Sequence, residues 1–137
     1  MNQVSEGLEG FHAQELAASL TVADLAASTA WYHEVFGFAI DRRHERDGRL
    51  IAVSLRGGRV RILLTQDDGA KGLEREKGGG FSLQLTTDQD IDAVAAAIES
   101  RGGQLDAAPL SMPWGVRVFR LRDPDGFRFT VSSPPLT

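Results

Sequence analysis

The sequence predicts an α+β domain in which two tandem βαβββ modules form a curved mixed sheet around a concave cavity. The first observation is that strand-like and helix-like patterns recur in the same order at a spacing of about 65–67 residues. The second is that "ASLTV" at 18–22 aligns with "LQLTT" at 83–87, and "RVRILLT" at 59–65 with "GFRFTVS" at 126–132. The third is that a glycine, Gly37 or Gly103, follows the helix of each half. Two such halves imply modules related by a pseudo-twofold axis.

Module one is predicted over residues 15–66, after an N-terminal arm over residues 1–14. Its first strand is "LAASLTV" at 16–22, in which apolar residues alternate with small or polar ones. Asp24 is the expected N-cap of a helix over "LAASTAWYHEVF" at 25–36. Strands near 38–44, 49–56 and 59–66 follow, with turns at Asp47-Gly48 and Gly57-Gly58.

Module two is predicted over residues 81–133, after a polar, Gly-rich linker over 67–80. The linker is not a phosphate-binding loop, because a strand rather than a helix follows it, and its "REK" at 75–77 is expected to be solvated. A strand over "FSLQLTT" at 81–87 precedes a helix over "DIDAVAAAIESR" at 90–101. Strands near 104–108, 115–122 and 127–133 complete the module. The turn at 123–126 makes Asp123 and Asp125 turn residues rather than a catalytic pair.

Composition excludes several functional classes. The chain has 137 residues, enough for one domain with a hydrophobic core, and a net charge of −4, which argues against nucleic-acid binding. No apolar run approaches the roughly 20 residues that span a bilayer, so no membrane association is expected. The start "MNQVSEGLEG" lacks the features of a signal peptide, and a cytoplasmic location is the default expectation. Since cysteine is missing, disulfides and thiolate chemistry are excluded.

Two segments carry a resemblance to a known family. "SLTVADLAASTAWYHEVFGF" at 19–38 and "PWGVRVFRLRDPDGFRFTV" at 113–131 resemble the vicinal oxygen chelate superfamily, over about residues 15–133. That superfamily includes glyoxalases, extradiol dioxygenases, fosfomycin-resistance enzymes and bleomycin-resistance proteins. Because the fold hosts many functions, the resemblance alone does not assign an activity.

The resemblance implies four positions for the ligands of one divalent metal ion. In the metalloenzymes these ligands are His, Glu or Gln on the cavity side of the first and last strand of each module. In this sequence the four positions are occupied by Ala17, Leu63, Ser82 and Thr130, none of which has a metal-binding side chain. His12, His33 and His44 lack metal-ligand spacing. We therefore expect no metal and no cofactor, as in the metal-free bleomycin-resistance-like proteins.

Strand alternation predicts which residues line the cavity. The cavity side has small, polar residues, while the alternate positions are apolar and are expected to pack under the helices: Leu16, Leu20, Val22, Ile62, Leu64, Leu83, Leu85, Phe129 and Val131. A tryptophan in the loop before the seventh strand offers a stacking surface at the cavity mouth, or else packs in the sheet or at a subunit contact. The predicted ligand-binding residues are Trp114, Gln84, Ser82, Thr130, Arg117, Phe119, Ser19 and Leu63. No catalytic residue is predicted.

Three functions remain compatible with these residues. The first is a metal-free protein that sequesters or carries a drug-like or metabolite ligand, as a homodimer. The second is an enzyme, such as a lyase or isomerase, in which Gln84 and Arg117 polarise a carbonyl group. The third is a structural or regulatory domain with a vestigial pocket. Binding without turnover, turnover, or neither would distinguish them.

Overall fold

The computed structural model describes residues 6–7, 10–72 and 76–135, so part of the predicted arm and part of the predicted linker lie outside the described residues. Module one contains β1 (Ala17–Val22), α1 (Leu25–Ala30), a π-helical segment (Trp31–Phe36), β2 (Ala39–Arg46), β3 (Arg49–Gly57) and β4 (Val60–Gln66). Module two contains β5 (Leu83–Thr86), α2 (Ile91–Ser100), β6 (Leu105–Ser111), β7 (Arg117–Arg122) and β8 (Arg128–Ser132). The α+β class and the two tandem βαβββ modules are confirmed.

The strands form two separate four-stranded sheets, with orders β1-β4-β3-β2 and β5-β8-β7-β6. In each sheet the first and last strands of the module pair in parallel, and the others pair antiparallel. Ser19 lies beside Leu63 in the first sheet, and Gln84 lies beside Thr130 in the second. The same pairing therefore recurs, which gives the sequence repeat a structural equivalent.

The first helix begins as predicted but changes its pitch. Asp24 Oδ1 accepts a hydrogen bond from the backbone N–H of Ala27 at 3.1 Å, the arrangement of an N-cap. From Trp31 the helix continues with π-type turns, which the sequence pattern did not indicate. It ends at Gly37, whose φ of 108° lies in the left-handed region that glycine adopts without a Cβ clash.

One hydrophobic core joins the two modules. The ring of Tyr32, which is fully buried, lies 6.0 Å from the ring of Phe129, and the ring of Phe36 lies 5.4 Å from it. Both contacts join the helix of module one to the sheet of module two. The predicted helix-facing residues are in this core or pack against it, with one exception. Leu16 is 88% exposed because β1 begins only at Ala17, so that prediction is wrong.

The helices pass close to each other where the modules meet. A Cβ built on Gly103 would lie 2.5 Å from Ile98 Cγ2 and 2.9 Å from Val35 Cγ1, closer than non-bonded carbon atoms approach. Ile98 belongs to α2 and Val35 to the π-helical segment of the other module. Gly103, predicted as a helix terminator, thus also allows the close approach of the modules.

A buried group of charged residues fastens the predicted linker to both modules. Lys77 Nζ lies 2.8 Å from Asp67 Oδ2 and 3.4 Å from Asp125 Oδ2, and its side chain is only 4% exposed. Asp125 Oδ2 also accepts a 2.8 Å hydrogen bond from the backbone N–H of Ala23. The expectation that the "REK" run is solvated is therefore wrong for Lys77, because the carboxylates of Asp67 and Asp125 lie beside its ammonium group.

The packing determines where the cavity-side residues point. We use "concave face" for the side of each sheet that lies away from the helices. Because the helix-facing sides of both sheets point into one core, the two concave faces point away from that core. No strand of one sheet pairs with a strand of the other within the described ranges. In the described part of the chain, the concave faces of the two sheets therefore do not face each other across a common cavity. Among the described residues, no helix is long and apolar enough to cross a bilayer.

Candidate ligand-binding face

The concave face of module two contains a depression of about 470 Å³. Its polar groups come from Ser82, Thr130, Arg120 and Arg128, and Phe81 forms an aromatic edge. The hairpin of β7 and β8 places Arg120 directly beside Thr130, and β5 places Gln84 on the other side of Thr130. Hydroxyl, amide and guanidinium groups therefore lie side by side across three strands, as in a site with a few placed polar groups.

The predicted site residues fall into separate groups. Ser82 and Thr130 line this depression, and Gln84 lies next to Thr130 on the same face. Ser19 and Leu63 are neighbours on the concave face of module one, where Ser19 is exposed and Leu63 half-buried. The structure thus brings three of the predicted residues together and keeps two of them on the other sheet.

Arg117 and Phe119 lie on the helix-facing side of β7, so the prediction that they face the cavity is wrong. Phe119 is fully buried in the core, opposite Val131. Arg117 Nε and Nη2 donate hydrogen bonds of 2.7 and 2.8 Å to the two carboxylate oxygens of Asp92 on α2. The hydrogen bond from Arg117 lowers the pKa of Asp92, and the same bond raises the pKa of Arg117. This ion pair connects α2 to β7.

Arg120 is the residue that sequence reasoning missed. It is exposed on the concave face, and the part of the chain that the structure describes offers its guanidinium no hydrogen-bond or ion-pair partner. The turn at 123–126 contains the signal that could have found it. Because Arg122 pairs with Arg128 across that hairpin, Arg120 must pair with Thr130 and share its face. The prediction that Arg117 and Phe119 bind the ligand instead assigns Arg120 to the helix-facing side, because alternate residues of a strand share a face.

Comparison with known proteins agrees with this fold. The model of the Glyoxalase/Bleomycin resistance protein/Dioxygenase superfamily matches residues 12–131. The chain belongs to this superfamily. No curated protein matches it. A superfamily member from Sphaerobacter thermophilus has a structure with a TM-score of 0.68 at 26% identity, over 90% of this chain and 98% of that one.

Two further solved structures share the fold at lower identity. TioX from Micromonospora sp. ML1 has a TM-score of 0.70 at 20% identity, over 88% of this chain and 98% of that one. A lactoylglutathione lyase from Agrobacterium tumefaciens has a TM-score of 0.65 at 22% identity, over 89% and 94%. At these identities the likeness shows the fold alone.

The residues of this glyoxalase-like chain do not fit the metal that the superfamily resemblance implies. Ala17 and Leu63 have hydrocarbon side chains, and Ser82 and Thr130 offer only neutral hydroxyl groups. Transition metals in proteins are held by imidazole, thiolate or carboxylate ligands. No group of three or more His, Cys, Asp or Glu side chains that could hold a metal ion occurs in the described parts of the chain. Gln84 adds a single amide oxygen beside Thr130.

Trp114 lies in the loop between β6 and β7, at the opposite end of β7 from Arg122 and Arg128. Its side chain is 70% exposed, so it does not plug the end of the sheet within one chain. It does not line the depression that contains Arg120. A ligand contact and a subunit contact remain as the two interpretations of this residue.

Proposed function

We propose that this superfamily member binds a small organic molecule on the concave face of module two without using a metal, and that a homodimer completes the binding cavity. The observation that supports binding is the combination of a depression of about 470 Å³ with metal-ligand positions occupied by Ala17, Leu63, Ser82 and Thr130. The depression offers room for a ligand, while the four positions lack side chains that would hold a metal ion.

The lining of this face favours a ligand with both polar and apolar parts. Ser82 and Thr130 can each donate and accept a hydrogen bond, and the amide of Gln84 can do both as well. Phe81, which is 46% exposed at the edge of the depression, supplies apolar surface. Recognition sites for small molecules combine apolar surface with a few such polar groups.

The orientation of the sheets supports the homodimer. Among the described residues, each concave face is open in a single chain, and β1 and β5 each have a strand neighbour on one side only. An unpaired edge beside an open face is a surface that a second copy can cover. Burial of exposed apolar side chains also favours association, and the chain exposes four large ones elsewhere: Phe11, Leu16, Leu110 and Trp114. Light scattering at micromolar concentration is expected to give twice the mass of the chain, and a monomer would contradict the proposal.

Native mass spectrometry of the gently purified protein tests the binding role. We expect a bound small molecule that is released by denaturation and that rebinds unchanged when it is added to fresh protein. If the fresh protein converts the molecule into a product, the binding role is wrong and the enzyme alternative is supported. If no molecule is retained and a metabolite library produces no thermal shift, the face is not a binding site.

A matched pair of variants locates the binding. Thr130→Val removes a hydroxyl group from the proposed face with almost no change of volume, and is expected to weaken retention of the molecule by about tenfold. Thr29→Val removes a hydroxyl group from the buried side of α1. Thr29 Oγ1 has no hydrogen-bond partner among the described residues, so this control should leave binding and stability intact.

A further inference from the structure

The proposed binding face has a charge opposite to that of the chain. The chain has a net charge of −4. The depression on the concave face of module two is lined by Arg120, Arg128 and Asp106, and Arg122 pairs with Arg128 beside it, so these four residues sum to +2. Asp106 is already engaged, because its carboxylate lies 2.9 Å from Arg122 Nε. The other two arginines have no carboxylate partner in the described chain.

These two arginines lie close enough to act on one group. Arg120 is paired with Thr130, and Arg128 precedes Thr130 by two residues on the same face of β8. Diagonal neighbours of this kind have Cβ atoms about 7 Å apart, a distance that two guanidinium groups span easily. Arg128 Nη2 makes only long contacts, 3.4 Å to the carbonyl oxygen of Gly78 and 3.5 Å to that of Phe81.

The positive charge of this pair is permanent. A guanidinium group keeps its proton throughout the physiological pH range, so Arg120 and Arg128 repel each other unless an anion lies between them. Arginine binds carboxylates and phosphates through paired N–H groups in one plane. An anion on this face would therefore be held by both side chains and would also relieve their repulsion.

The equivalent arginines of module one are arranged differently. Arg56 and Arg61 pair across β3 and β4 as Arg122 and Arg128 pair across β7 and β8. In module one, however, Arg61 Nε lies 3.3 Å from the carboxylate of Glu15. The pseudo-twofold axis thus repeats the cross-strand arginine pair but not Arg120, since the equivalent position beside Leu63 is Ser54. Arg120 and Arg128 lie together in the depression that Phe81 borders.

Resting on the proposed function, we infer that the ligand of this face is an organic anion: a carboxylate attached to a flat, apolar ring. Arg120 and Arg128 bind the carboxylate, the hydroxyl groups of Ser82 and Thr130 lie beside it, and Phe81 contacts the ring. A space of about 470 Å³ is much larger than an inorganic anion requires, and Phe81 has nothing to offer such an ion. In this proposal the positive charge takes the place of the metal ion that the resemblance implies for the superfamily's metalloenzymes.

Titration of the full-length protein with 2-naphthoate and with 2-naphthamide tests this inference, since the two probes share a ring and differ in charge. Naphthoate is expected to bind at least tenfold more tightly, and to lose affinity as salt is raised. Arg120→Gln and Arg128→Gln should each weaken naphthoate binding by about tenfold or more. Arg49→Gln, at the first residue of β3 in the other module, is the matched control and should bind as the unchanged protein does.

Several results would overturn the inference. They are equal binding of the amide, full affinity of Arg120→Gln, failure of naphthoate to bind, or inorganic phosphate binding as tightly as naphthoate. Arg120 is exposed, so its variant should keep the melting temperature of the parent, and that measurement verifies folding. The proposed function can be judged separately: a neutral co-purifying molecule that depends on Thr130 would support binding on this face and contradict the anion.

Discussion

Tyr32 Oη donates a hydrogen bond of 2.7 Å to Asp123 Oδ2, joining the helix of module one to the last turn of module two across 91 residues of sequence. Both side chains are buried. Asp123 Oδ1 also accepts from the backbone N–H groups of Asp125 and Phe127 at 2.9 and 2.8 Å. Asp123 is therefore a turn residue, as the sequence predicts, and one carboxylate also orders the turn and ties it to the other module.

Tyr32→Phe should destabilise the folded state without changing the shape of the core. The variant removes one oxygen atom and leaves a buried carboxylate oxygen without its donor, a loss of about 1–3 kcal/mol in the free energy of unfolding. Urea denaturation followed by circular dichroism measures this quantity. The double variant Tyr32→Phe/Asp123→Asn is the control, since non-additive effects would establish the coupling. Wild-type stability in the single variant would show that the bond contributes nothing.

Alkaline titration should reveal the same contact. Burial, reinforced by the charge of Asp123, raises the pKa of Tyr32 well above its ordinary value. A group with a raised folded pKa stabilises the folded state fully below its unfolded pKa, about 10 for tyrosine, and loses that contribution as pH rises further. The stability should therefore fall above about pH 10, and less so in Tyr32→Phe.

The measurement is direct because Tyr32 is the single tyrosine of the chain. The ultraviolet absorbance of tyrosinate should appear together with the unfolding signal. A normal titration of Tyr32 in protein that remains folded would contradict the buried hydrogen bond.

Lys77→Met should be strongly destabilising, since Lys77 is the cation between Asp67 and Asp125. Methionine matches the length of the lysine side chain but leaves buried carboxylates without this cation, and removing one partner of a buried pair costs about 3–5 kcal/mol. Chemical denaturation at neutral pH measures the loss. Lys71→Met, at an exposed position of the same linker, is the matched control and should change the stability by no more than about 0.5 kcal/mol. Equal effects of the two variants would mean that the buried cluster does not stabilise the fold.

Trp114→Ala should separate a subunit contact from a packing role. The side chain is 70% exposed in one chain, so the stability of the folded chain should change little. We expect the loss in self-association instead, about 2 kcal/mol or thirtyfold in the dissociation constant, because exposed tryptophans are frequent anchors of interfaces. Analytical ultracentrifugation of parent and variant provides the comparison. An unchanged dimer, with weakened ligand binding, would assign Trp114 to the ligand.

Removal of divalent metals should leave the protein unaffected. The positions of Ala17, Leu63, Ser82 and Thr130 offer no side chain that would couple metal binding to folding. Elemental analysis is expected to find far less than one Zn, Ni, Fe or Mn per chain, and a chelator should not shift the melting temperature. A stoichiometric metal that is lost on substitution of residues on the concave faces would show that unexpected ligands hold it.

The sequence by itself determined the order of the elements, the repeat and the composition of the faces of β1, β4, β5 and β8. These features follow from local rules: the two-residue period of strands, glycine after a helix, and the register imposed by a tight turn. The same rules located Ser82, Gln84 and Thr130 on one face, and they could have located Arg120 had the register been counted from the turn.

The tertiary structure alone decided how the modules meet. The contacts that join them, such as Ala23 to Asp125 and Tyr32 to Asp123, connect residues about one hundred positions apart, beyond the reach of any local pattern. They bury Lys77 in a segment whose composition indicates solvent exposure, and they bring the helix-facing sides of both sheets into one core. The concave faces consequently point outward, because each sheet has only two sides and the shared core occupies one of them.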